Sequence, residues 1–149
     1  MTGPGRSDHW LWRLDAQAWL RAAELELEAG AANLRSRRTA ITHARRGAGM
    51  ALNAVLVALA VSPHEELRWG RSYIDHLRAI ASADDPRRHP MSVQARTSAA
   101  RLMTITVAPT AALVQLGHGP NSAAREALEL ARALHDECAI AVARLAPPA

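Results

Sequence analysis

The chain contains no lysine and no phenylalanine, and it has a single cysteine and a single tyrosine. Each absence narrows the field. Without lysine there is no phosphate-loop lysine and no Schiff-base nucleophile. A lone cysteine makes no disulfide within the chain, and Cys138 sits in an apolar helical stretch, where a small buried thiol is the plainer reading than a reactive one. The opening stretch MTGPGRSDHW lacks a charged head followed by an apolar run, so no secretory signal is expected. The longest uncharged run, Gly47 to Pro63, is shorter than the roughly 20 residues a membrane span needs, and it carries Asn53. A cytoplasmic protein without membrane contact is the expectation. Neither a G-x-S-x-G elbow nor a glycine-rich nucleotide fingerprint occurs. None of the histidines stands three residues after a carboxylate or four from another histidine, the spacings that put two metal ligands on one helix face. No metal and no cofactor are expected.

What is present is arginine, alanine and leucine. The formal charge is +4, and all 18 basic residues other than histidine are arginine. Arginine and alanine in place of lysine reflect a GC-rich genome as readily as a function, so the charge alone supports nucleic-acid binding only weakly. At 149 residues the chain fits one domain that buries roughly 70% of its unfolded surface. Local propensity favours helix nearly throughout. Ser7 or Asp8 is expected to cap a first helix, whose apolar stripe runs through Trp12, Ala16, Trp19, Ala23 and Leu27. A second, from about Thr39 to Val61, is apolar nearly all round and reads as a buried central helix. Its small residues Gly47, Ala48, Gly49 and Ala51 would let another helix come close.

A third helix is expected from about His64 to Ala83, then a loop at Asp84–Pro90, and a fourth helix from about Met91 to Thr104. The β-branched residues and Pro109 of the irregular segment before the last helix could make an extended crossing in place of a helix, and the role of Leu113 to Gly119 stays open. Asn121 or Ser122 caps a last helix with a stripe at Ala127, Leu130, Leu134, Cys138, Ala141 and Leu145. The expected fold is therefore all-α, an up-and-down bundle of four to five helices in one domain, with residues 1–7 and 146–149 as flexible ends.

Two arginine groups are candidate sites for RNA or a partner. Arg35, Arg37, Arg38, His43, Arg45 and Arg46 could hold a phosphate backbone, because arginine forks match phosphate oxygens. The alternative is that an antiparallel hairpin pairs them with Glu24, Glu26 and Glu28 of the first helix. Arg87, Arg88, His89, Arg96 and Arg101 have only Asp84 and Asp85 as an acidic counterpart, and form a candidate partner-facing patch. Trp69 and Tyr73, four apart, could stack bases, although core packing or a dimer seam is the plainer reading.

WLRAAELELEAG, a short break, and ITHARRGAGMALNAVLVAL resemble the first two helices of HEPN-domain proteins. His43-Ala44 matches the opening of that family's second-helix pattern, and Ala48, Ala51-Leu52, Ala54 and Leu56 match its rhythm of small residues and leucine. REALELARALHDECAIAVARL is similar to the closing helix. The family's Glu and Lys are replaced by Gly49 and Asn53. The resemblance implies a helical bundle, commonly a homodimer. Some members are metal-independent ribonucleases, often toxins paired with a nucleotidyltransferase antitoxin, and others are inactive partners or RNA-associated modules.

Active members carry an arginine, four to six residues, then a histidine. The histidine would move the proton of a ribose hydroxyl and the arginine would stabilise phosphate charge. Arg71 and His76 fit this spacing, and so do Arg38 and His43. So many arginines and histidines produce such spacings by chance. Residues five apart in a regular helix also lie about 140° apart around the axis. Three functions follow: a non-catalytic HEPN-like module binding RNA, a nucleotide or a protein; a ribonuclease using Arg71 and His76; and a helical scaffold without nucleic acid.

Overall fold

The structure is a computed structural model that describes residues 10–59, 72–82, 91–107 and 121–145. Five α-helices follow a short 3-10 helix at Trp10–Arg13: α1 Ala16–Ala31, α2 Arg37–Leu59, α3 Tyr73–Ala81, α4 Val93–Thr104 and α5 Ser122–Leu145. There is no strand among the described residues, and the all-α expectation holds. No helix among them is long and apolar enough to cross a membrane. The expected cap at Ser7 or Asp8, the Asp84–Pro90 loop and the Leu113–Gly119 segment lie outside the described residues, as do Trp69, Arg71, Arg87 and Arg88.

The chain enters α1 later than its apolar stripe suggests. Asp15 is the N-cap, its carboxylate accepting the Ala18 N–H at 2.8 Å. The preceding 3-10 turn is tied on by the indole N–H of Trp19, which donates to the Leu11 carbonyl at 2.8 Å. Leu11 and Trp19 are thereby buried, while Trp12 is only half-buried. The capped Asp15 interrupts the periodicity that would have joined Trp12 to the stripe.

α2 is the central helix, as its apolar circumference predicts. Its buried residues run from Ala40 to Leu56 and include Asn53, whose fully buried side-chain amide has no hydrogen-bond partner among the described residues. Its small residues set the approach of both neighbours. A Cβ on Gly47 would meet Leu27 Cδ2 at 2.8 Å, and one on Gly49 would meet Tyr73 Cα at 2.9 Å. α1 descends along α2, since Leu27 faces Gly47 while Gly30 faces Ala40. α4 also runs opposite to α2, with its C-terminal carbonyls over Arg45 and Thr106 over Arg37. α5 returns alongside α4: Ser92 meets Glu137 and Arg101 meets Glu126. α1, α2, α4 and α5 are thus up-and-down, with α3 packed on α2 and α4.

α3 starts at Tyr73, because Ser72 is extended (φ −128°, ψ 162°) and closes a capping box with Asp75. The expected continuous helix through this position is corrected by that cap. Two orphan backbone donors are satisfied there, which favours starting a helix over extending one.

Candidate anion-binding cleft

One pole of the bundle gathers the start of α2, the end of α4 and the start of α5. A cleft of about 370 Å³ opens there, with Arg37, Arg101, Ser122 and Glu126 in its wall. The short stretch Thr104–Thr106 and Ala123 complete it among the described residues. Each arginine is tethered by one edge. Arg37 donates its Nε–H to the Thr106 carbonyl at 3.0 Å. Arg101 donates its Nε–H to Glu126 Oε1 at 2.6 Å, and that carboxylate holds the guanidinium above its already high ordinary pKa. The terminal Nη groups of both make no further hydrogen bond among the described residues, so four N–H donors on each remain for a ligand.

Charge at this pole is positive. Arg35 and Arg38 are exposed beside Arg37 and pair with no acid among the described residues. Arg125 is exposed in the first turn of α5. Glu126 is the acid in the cleft wall. The first-turn amides of α5 point out of a helix whose described neighbours supply no side-chain cap, unlike those of α1, α3 and α4. The partial positive charge of a helix start adds to the arginines.

The other expected site residues divide sharply. His43 donates from Nδ1 to Glu26 Oε2 at 2.6 Å, and Arg46 Nη1 stands 3.6 Å from the other oxygen of Glu26. For these two, the hairpin pairing with the acidic first helix is what forms. Arg45 is turned inward: its Nη2 donates to the Ile105 carbonyl at 2.6 Å and reaches Leu102 and Met103 at 3.3 and 3.4 Å. Burial lowers its pKa, and its role is to close the C-terminus of α4. Arg96 is half-buried on α4 and does not reach the cleft wall. The cleft therefore brings Arg37 and Arg101 together, while Arg38, next to Arg37 in sequence, is exposed outside its wall.

His76 lies on the inward face of α3, 1% exposed. Tyr73 is half-buried against α2 at Gly49, and burial raises its phenol pKa despite nearby Arg46. Its placement is that of a packing residue. A second cleft, about 340 Å³, lies between α1 and α5 with Glu24, Glu28, Arg132, His135 and Asp136 in its wall. There His135 Nε2–H donates to the Leu20 carbonyl at 3.1 Å, a contact that fastens α5 to α1. Among the described residues no group of three or more histidine, cysteine or acidic side chains is placed to hold a metal.

Reading the sequence groups Arg37 with its neighbours but misses its alliance with Arg101 and Ser122. Those positions are joined only by the antiparallel return of α4 and α5, and no local spacing announces them. The bundle and its basic cleft define a class: an all-α domain with arginines gathered at one pole. No known protein family, curated protein or solved structure matches the chain.

Proposed function

We propose that the chain is a HEPN-like helical module that binds RNA through phosphate contacts and does not cleave it. The observation that carries this reading is the cleft at the α2/α5 pole. Two tethered arginines expose their forks there, beside Arg35 and Arg38, which pair with no acid among the described residues. Arginine forks match phosphate oxygens in pairs, and such contacts are sequence-independent. The burial of His76 supports the non-catalytic version, because a proton-transfer residue has to reach the ribose.

The test is fluorescence anisotropy with a labelled single-stranded RNA across a salt series. Affinity should fall linearly on logarithmic axes. Arg37→Gln, Arg38→Gln and Arg101→Gln should each flatten the slope by about 0.7, the value of one phosphate left unneutralised on a single strand. Failure to bind at low salt would refute the reading, since electrostatic association is strongest there. EDTA-containing incubations of the same RNA should leave it intact, and cleavage abolished by His76→Ala would restore the ribonuclease.

A further inference from the structure

We infer that the cleft at the α2/α5 pole is a receptor for a terminal phosphomonoester, on an RNA end or a free mononucleotide. This rests on the RNA-binding reading above and goes further by naming the chemical group.

An open groove suits the running backbone of a strand, whereas this cleft, at about 370 Å³, lies near the lower end of small-ligand sites, roughly 300–1,000 Å³. It has room for about one nucleotide unit.

Arg37 and Arg101 are each held at Nε, by Thr106 and Glu126 respectively, so their Nη edges are the parts left to face a ligand. Ser122 and Ala123, the first residues of α5, stand in the same wall. That surplus of donors exceeds the two unesterified oxygens of an internal phosphodiester. It suits the three unesterified oxygens of a monoester.

The wall's side chains at Ile105 and Ala123 are small or aliphatic, with no aromatic ring among the described residues on which a base could stack. The donors in the wall are those of Arg37 and Arg101, so recognition would attach to the phosphate.

The experiment compares one labelled RNA oligonucleotide with a hydroxyl or a phosphate at each end, and titrates adenosine and AMP separately. The end phosphate should tighten binding about tenfold, AMP should compete, and adenosine should not. Arg37→Gln and the more exposed Arg101→Gln should each remove the difference between ends while leaving residual salt-sensitive RNA binding. Arg37→Lys keeps the charge without the fork and should lose most of the discrimination. RNA binding that ignores the end phosphate overturns this inference and leaves the RNA reading standing. AMP binding without RNA binding sustains the phosphomonoester site and removes the RNA reading. Binding of neither removes both.

Discussion

Replacing Arg45 by alanine should destabilise the fold and leave RNA affinity nearly untouched. The guanidinium closes the last turn of α4, where the carbonyls of a helix end have no partner of their own. Its contact with the Ile105 carbonyl is short, 2.6 Å, while those with Leu102 and Met103 are long, 3.3 and 3.4 Å. A charged hydrogen bond of good geometry contributes about 1.5–3 kcal/mol, and the longer ones add less. Truncation also leaves half-covered carbonyls without a donor and removes the packed aliphatic stem. The expected destabilisation is about 3 kcal/mol, which for a chain of this size lowers Tm by roughly 10 °C. Arg45→Met keeps the stem and should recover part of it. Exposed Arg38→Ala serves as the comparison and should move stability by no more than about 0.5 kcal/mol. Urea denaturation followed by circular dichroism, with anisotropy on the same samples, measures both quantities. If Arg45→Ala melts like the parent and instead fails to bind RNA, the residue faces a ligand and the capping argument is wrong.

Two other experiments probe the packing. Gly49→Ala should gain about 1 kcal/mol of helix propensity yet destabilise on balance by about 1–2 kcal/mol, because the new Cβ meets the Tyr73 backbone at Cα, which cannot yield as a side-chain tip would; a chemical melt that shows stabilisation would mean α3 is not seated against α2 there. Cys138 is fully buried, and burial pushes its thiol far above the ordinary value, so a maleimide reagent should leave it unmodified in the native protein and label it in urea. Its contribution to pH dependence has a definite sign. Folding favours the protonated thiol, so that contribution is complete below the unfolded-state pKa of about 8.5 and erodes as pH climbs from there towards the raised folded value. Rapid labelling of the native protein at neutral pH would contradict this burial.

Much of the fold is legible wherever burial is decided by local pattern. α2 reads as central because apolar and small residues surround it, and α5 reads from a stripe whose Ala127, Leu134, Cys138 and Ala141 are buried as expected. Starts are harder, since two local signals compete. Trp12 and Trp19 fit one helical stripe, but the Asp15 cap and the Leu11–Trp19 contact divide them. Trp69 and Tyr73 suggest one helix, although Ser72 and Asp75 carry a capping-box spacing that prevails. The site is least legible. Glu26 pairing with His43 follows from a hairpin and can be anticipated. Arg45 and Arg37 find carbonyls about sixty to seventy positions away in the chain, and only tertiary closure selects them.

The absence of lysine gains a physical meaning at that closure. Lysine offers three donors on one flexible nitrogen, so an ammonium held by a carbonyl has little left to present in a fixed direction. Arginine is planar and has separate edges. At position 37 one edge binds Thr106 and at position 101 one edge binds Glu126, while the opposite edges remain available. Each tether restricts side-chain rotation before a ligand arrives, which reduces the entropic cost of binding. Arg45 puts the same geometry to another use, both Nε and Nη2 being spent on the carbonyls of one helix end. The difference between Arg45 and the two arginines of the proposed site is thus how many of its donors the fold consumes. A lysine substitution at 37 or 101 should conserve the charge of the pole while losing the directionality that a phosphate group requires.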